Sequence, residues 1–289
     1  MKTFTTIEEV RTFVRTVRRT SQRVAFVPTM GNLHDGHIAL VKEAKKHADV
    51  VITSIFVNPI QFGPNEDLEN YPRTLTADRR ALETVKCDGL FLPTVDTLYP
   101  NGMDTLTKVH IPGPSEGLCA ASRPDHFDGV STVVSILFNI VQPDIACFGK
   151  KDYQQLAVIR KMVDDLHLPI EIIGVDTVRE SSGLALSSRN GYLDAEQHQR
   201  AADLQRALKK AEKALLEEKR QDIVLAEVRA ELATQGFEVD YLELRRKDLS
   251  PLELNEPLEG NAILLAAAYL GKTRLLDNRE LKQEHPNGE

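Results

Sequence analysis

Two short apolar runs, Val24-Ala25-Phe26-Val27 and Val50-Val51-Ile52-Thr53-Ser54-Ile55-Phe56-Val57, leave the stretch around them little choice of fold. Both are β-branched or aromatic and lack polar alternation, the pattern of parallel strands buried on both faces. Between them Ile38, Val41, Ala44 and Ala48 recur at helical spacing, with Lys42, Lys45 and Lys46 on the other side. Parallel strands need a crossover, so the stretch reads as one right-handed βαβ unit of about 35 residues. Its first turn holds Gly31 and Gly36 and brings His34 and His37 to the start of the helix. Spaced i,i+3, the two imidazoles point the same way, beside unpaired N–H groups and the positive end of the helix dipole. A phosphate fits there. A plain solvated helix start and a metal pair are the other readings of HxxH. The glycines, the position at the carboxyl end of a parallel strand, and the lack of a nearby Glu or Cys ligand favour the phosphate.

The same strand–glycine–helix pattern returns at 144–167, where Gly149-Lys150-Lys151-Asp152 opens a helix. A lysine at such a rim reaches phosphate as a point charge. Around these two junctions the periodicity predicts a peripheral helix over 7–19, a helix over 75–86, a strand over 89–93, a buried helix over 129–141 and a strand over 169–175. Residues 58–64 (Asn-Pro-Ile-Gln-Phe-Gly-Pro) break the regular structure at the strand rim, and 65–73 read as a polar, mobile rim. The stretch 94–127 is a long Pro/Gly/Ser-rich loop with one short strand at 107–111; loops of that length in a compact domain are usually functional. Residues 179–191 are small, polar and turn-prone, a linker or a functional loop. Beyond them come a charged helix over 194–218, a helix over 222–234 ended by Gly236, and strands over 237–244 and 262–269. Helices followed by strands is an α+β pattern, so a second domain is expected over 179–289, with a disordered tail at 283–289.

A chain of 289 residues has ample core for two such domains. Its net charge of −7 leaves no basic surplus to neutralise nucleic acid. Cys87, Cys119 and Cys147 form no CxxC pair and read as reduced thiols. No apolar leader or membrane-length run is present, so a cytoplasmic protein without membrane partners is expected.

The run Pro28-Thr29-Met30-Gly31-Asn32-Leu33-His34-Asp35-Gly36-His37 resembles the HIGH signature of the nucleotidylyltransferase superfamily and, at its full length, the PTMGxLHxGH of the pantothenate synthetase family. Four further segments match that family in order: Phe56 to Phe62 (FVNPxQF), Tyr71-Pro72-Arg73-Thr74, Arg123 to Val130 (RPxHFxGV) and Phe148 to Leu156 (FGxKDxQQL). Residues 179–190 resemble its READGLAMSSRN loop, the counterpart of the KMSKS loop of class I synthetases. The chain departs from the pattern at Asp125, at Lys150, at Ser181-Ser182 and at Leu186.

The resemblance implies a Rossmann-like doubly wound parallel sheet in a catalytic domain over 1–178, and a smaller α+β lid domain over 179–289. It implies ATP-dependent condensation of pantoate with β-alanine through a pantoyl adenylate, with magnesium and a homodimeric assembly. A nucleotidylyltransferase that keeps the nucleotide on its product is the alternative. ATP contacts are implied for Met30, Gly31, Asn32, Leu33, His34, Asp35, Gly36 and His37; for Gly149, Lys150, Lys151 and Asp152; and for Val178, Leu186, Ser187, Ser188 and Arg189. His34, His37 and Lys151 carry the catalytic role. The register favours Lys151 over Lys150 as the phosphate lysine. Asn58, Gln61 and Gln155 are implied to hold pantoate. Asp78 either helps to position magnesium or is a plain exposed helix residue. Arg123 and His126 are site residues by the match and loop-packing residues by their own chemistry.

Overall fold

The computed structural model describes residues 1–64, 66, 68–253 and 256–282. The expected disordered tail, and Asn65 and Asp67 of the expected mobile rim, lie outside the described residues. The chain divides into two compact units: Met1–Lys150 with Gln154–Val178, and Lys151–Tyr153 with Arg179–Glu289.

The first unit runs β1 (Lys2–Phe4), α1 (Ile7–Arg18), β2 (Val24–Thr29), α2 (Asp35–His47), β3 (Val50–Ile55), α3 (Leu75–Thr84), β4 (Gly89–Phe91), α4 (Val95–Leu98), α5 (Cys119–Ser122), α6 (His126–Val141), β5 (Ile145–Gly149), α7 (Tyr153–Asp165) and β6 (Glu171–Val175). Its six strands form one parallel sheet in the order β1-β4-β3-β2-β5-β6. The chain enters at the edge, crosses to β2 and steps outward through β3 and β4. It then returns to the other side of β2 for β5 and β6. The switch point therefore lies between β2 and β5, paired at Ala25–Ile145 and Phe26–Ala146. Open α/β sheets bind ligands outside the carboxyl ends of the strands at that point. On one side of the sheet Ile38, Leu40, Val41 and Ala44 of α2 pack with Ala25, Val27, Val51, Ile145 and Cys147. On β2 and β5, Phe26 and Phe148 each meet the Phe138 ring of α6 edge-on, at 6.5 and 6.3 Å.

The second unit adds α8 (Ala195–Ala201), α9 (Asp203–Leu216), α10 (Gln221–Thr234), β7 (Phe237–Arg246), β8 (Ala262–Leu270) and β9 (Thr273–Glu280). The strands form an antiparallel sheet in that order. Leu204, Leu208 and Leu215 of α9 and Val224, Val228 and Leu232 of α10 form one core with Leu264, Ala266 and Ala268 of β8. Gly236 follows α10 with φ +77°, the left-handed conformation that ends helices. No helix among the described residues is long and apolar enough to cross a membrane.

Two expectations change, and two strands that the sequence did not announce, β1 and β9, are present. The segment 107–111 forms no strand; Val109 is held by α6 instead, its N–H donating to Thr132 Oγ1 at 2.9 Å and its carbonyl accepting from Ser131. The single helix over 194–218 is two, interrupted at Ala202. The edge strand β1 was too short to show a period. The strand β9 (TRLLDNRE) was hidden because four charged residues and an Asn crowd its apolar positions.

Candidate active site

The loop between β2 and α2 is shaped by two consecutive left-handed residues, Gly31 (φ +83°) and Asn32 (φ +51°). They turn the N–H groups of Asn32 and Leu33 toward one carboxylate, Asp78 of α3, at 3.1 and 2.8 Å. Thr74 Oγ1 donates to the same group at 3.0 Å. Asp78 is therefore not an exposed helix residue: it is 2% exposed, and both its oxygens accept. A Cβ on Gly31 would lie 3.0 Å from Ile55 Cγ2 and 3.2 Å from Asp78 Oδ2, so space as well as φ favours glycine there.

His34 is the N-cap of α2. Its Nδ1 accepts from the Gly36 N–H at 3.1 Å, and His37 Nδ1 accepts from the His34 N–H at 3.3 Å. This is a capping box built from imidazoles. The rings lie 4.2 Å apart between centroids. A Cβ at position 36 would stand 2.7 Å from His34 Cε1, which explains the glycine of HxGH. With both Nδ1 atoms accepting, the neutral rings carry their protons on Nε2, so each presents an N–H donor at its tip. Asp35 between them is exposed.

At the end of β3 a single 3₁₀ turn, Pro59–Gln61, carries the first glutamine. Asn58 is fully buried and all its amide atoms are used. Its Nδ2 donates to Gln61 Oε1 at 3.0 Å and to Gly129 O at 3.2 Å, and its Oδ1 accepts from Tyr99 OH at 2.7 Å. Burial pushes the Tyr99 phenol well above its ordinary range, so it stays a neutral donor. Gln61 Nε2 donates to Met30 Sδ at 3.1 Å, which ties the 28–37 loop to this rim. His126 Nδ1 lies 2.8 Å from Gln61 O, and its Nε2 lies 3.0 Å from Arg123 Nη1. Arg123 also grips Glu66. Burial works to raise the Glu66 carboxyl, but the hydrogen bonds and charge of Arg123 outweigh it and hold the group below its ordinary value.

On α7 the two glutamines separate. Gln154 is 4% exposed and holds a loop, donating to Pro114 O at 3.0 Å and Gly117 O at 3.1 Å and accepting from the Cys119 N–H at 2.9 Å. Gln155, next along α7, is half-buried. Lys150 Nζ donates to Asp176 Oδ1 at 2.7 Å in the same unit. Gly149 ends β5, and Val178, the last residue of the unit, is half-buried.

In the second unit the structure brings together two stretches far apart in sequence. Lys151 lines a crevice of about 20 Å³ with Ser187, Arg189, Asn190 and Arg274. Ser187 Oγ accepts from the Arg189 N–H at 3.2 Å and opens the 3₁₀ turn Ser188–Tyr192. The preceding turn is fixed by Gly183 (φ +96°) and by a forked pair from Arg179 to Asp277, at 2.6 and 2.8 Å. Next to Asp277, Asn278 Nδ2 donates to Lys151 O at 2.9 Å and so anchors the lysine's backbone. Lys151 Nζ lies 3.4 Å from Asp152. Leu186 and Ser188 are half-buried in the same stretch.

The model of the Pantoate-beta-alanine ligase family matches residues 2–280, nearly the whole chain. The chain belongs to the pantoate–β-alanine ligase family. The pantothenate synthetase of Shewanella amazonensis is 56% identical over 278 residues, covering 96% of this chain and 98% of that one. The crystal structure of pantothenate synthetase from Thermus thermophilus is similar with a TM-score of 0.89 at 43% identity, covering 98% of this chain and all of that one. The pantoate-β-alanine ligase of Francisella tularensis, complexed with β,γ-ATP and β-alanine, is similar with a TM-score of 0.80 at 34% identity, covering 99% and 100%. The protein is thus an ATP-dependent ligase joining pantoate to β-alanine.

Several contacts around the candidate site escaped the sequence reading. Tyr99 and Gly129 shape Asn58 and Gln61 from about 40 and 70 positions away, beyond any local pattern. Arg274 lies on the strand whose charges hid it, paired with Asp240 at 2.6 Å.

Proposed function

We propose that the ligation runs in two half-reactions. A pantoate carboxylate oxygen attacks the α-phosphorus of ATP, the Pα–O bond to the β-phosphate breaks, and pyrophosphate leaves. The neutral amine of β-alanine then attacks the acyl carbon of the pantoyl adenylate; the C–O bond to phosphate breaks, AMP leaves, and the amine gives up a proton. No side-chain nucleophile is called for, and the three cysteines are buried, with burial and then the charges of Glu43 and Glu171 pushing the Cys147 thiol up to about 12.

The observation that carries this reading is the pair of imidazoles whose Nδ1 atoms both accept at the helix start, which puts both ring protons on Nε2. Such donors suit the charge that develops on phosphate oxygens, and His37 is assigned the acid-like role. Lys151, Ser187, Ser188 and Arg189 hold the triphosphate, with backbone contacts from the 30–37 loop, Gly149–Asp152 and the stretch around Leu186. Magnesium, brought in with the nucleotide, would supply neutralisation of the charge on the leaving group. The donor set fits a metal held chiefly by nucleotide oxygens, because among the described residues no cluster of three or more His, Cys, Asp or Glu side chains is formed. Asp78 in this reading holds the loop rather than the metal. Gln61 and Gln155 hold pantoate, and Asn58 orients Gln61. Residues 179–289 act as a lid that keeps water from the adenylate. The enzyme works in the cytoplasm as a homodimer.

Isotope transfer tests the route. With ¹⁸O in the pantoate carboxyl group, label appears in AMP, because the attacking oxygen stays on phosphorus when the amine displaces it. Label retained wholly in pantothenate excludes the adenylate. A second expectation separates the acid from the nucleotide. Losing one buried amide partner costs about 1–3 kcal/mol, or roughly 5- to 150-fold. Gln61→Ala and Gln155→Ala should each weaken pantoate binding by that order while ATP affinity, titrated calorimetrically without pantoate, stays within about threefold. Mutants that lose ATP but keep pantoate contradict the assignment.

A further inference from the structure

Gln61 is held at both ends. Asn58 and Met30 fix its amide, and His126, the first residue of α6, reaches its backbone carbonyl at 2.8 Å. The state of that imidazole follows from its other side. Arg123 Nη1 stands 3.0 Å from His126 Nε2, and a guanidinium only donates. Nε2 must therefore accept, the proton sits on Nδ1, and Nδ1–H donates to Gln61 O. Arg123 is itself fixed by a fork on Glu66, Nε to Oε1 at 2.8 Å and Nη2 to Oε2 at 2.5 Å. The first turn of α6 lies hard against the same 3₁₀ turn: a Cβ on Gly129 would stand 2.5 Å from Ile60 O and 2.7 Å from Gln61 Cα. Asp125, in the left-handed region at φ +62°, turns the chain into that helix.

We propose that His126 is a positioning residue for pantoate: with its tautomer set by Arg123, it fixes the backbone of Gln61 and so the direction of the Gln61 amide. This rests on the reading of Gln61 as a pantoate contact. A histidine that merely packs a loop affects stability and every kinetic constant together. A positioning histidine acts on one substrate and is replaced by any side chain that donates from the same place. An asparagine amide offers an N–H near the Nδ1 position; a glutamine amide reaches toward Nε2 instead.

The test measures pantoate and ATP KM, kcat and Tm for His126→Ala, His126→Asn, His126→Gln and Gln61→Ala in the full-length enzyme. Losing one hydrogen bond to the backbone of a binding residue predicts a pantoate KM raised about 5- to 30-fold in His126→Ala, with ATP KM and kcat within about threefold. His126→Asn should recover most of that loss and His126→Gln little of it. A pantoate KM unchanged in His126→Ala while Gln61→Ala is impaired overturns the positioning role alone. Pantoate binding unaffected by Gln61→Ala removes the reading beneath it as well. If His126→Ala is too unstable to assay, the Asn and Gln variants decide: equal behaviour of the two refutes the tautomer-dependent donor.

Discussion

Lys151→Ala lowers the rate of adenylate formation about 100- to 1,000-fold, the scale of one lost charge contact to a transition state in a water-excluded site, whereas Lys150→Ala costs less than about tenfold. The two lysines are adjacent and chemically identical, so the difference must come from where the fold sends them. Lys150 belongs to the first unit, where its ammonium lies 2.7 Å from Asp176. Lys151 belongs to the second unit, where its backbone is anchored by Asn278 and its side chain lines the crevice of Ser187 and Arg189. A lysine in a cluster with a guanidinium and hydroxyls is placed to meet a polyanion. Release of pyrophosphate from ATP and pantoate, followed without β-alanine, isolates the step. Equal losses in the two variants, or a greater one at Lys150, would show that the register is misassigned.

Why the glycine of HxGH was legible while the residues that hold the site were not is a matter of range. The βαβ unit and the histidine pair at the carboxyl end of its first strand follow from apolar runs and turn residues within about 35 positions, the span of one crossover. The His34 ring lies over Gly36, two residues away, and so leaves a local trace. Asn58 shows the opposite case. Its type suits either a turn or a ligand contact, and only the fold shows it fully buried between Tyr99, Gln61 and Gly129. The short β1 and the charge-interrupted β9 failed for a different reason: their pairing partners, β4 and β8, impose the strand, and their own sequences barely ask for it. Residues 107–111 looked like a strand and had no ladder to join, so α6 side chains satisfy Val109 instead.

The other large effect belongs to Asp78. The sequence left it as either a magnesium position or an exposed helix residue, and its surroundings give it a third role. Its carboxylate accepts from two backbone N–H groups of a left-handed loop and from Thr74, in a site 2% exposed. Asp78→Ala removes the acceptor from three donors at once. At roughly 1–3 kcal/mol for each buried donor left without a partner, less what the loop recovers by relaxing toward water, the loss is about 3 kcal/mol. For a chain of this size that lowers Tm by about 5–10 °C. The loop carries Asn32 at positive φ, a conformation that a non-glycine residue keeps only with support, so His34 loses its fixed approach to α2 and ATP affinity falls with stability. Asp78→Asn is intermediate. Its amide oxygen can serve Leu33 and Thr74, while its NH₂ then faces the Asn32 N–H, donor against donor. A melting curve in EDTA without nucleotide separates the two roles. A loop-holding carboxylate lowers Tm there when removed. A metal ligand leaves that curve in place and shifts only the magnesium dependence of ATP binding, and that pattern would sink the loop-holding role.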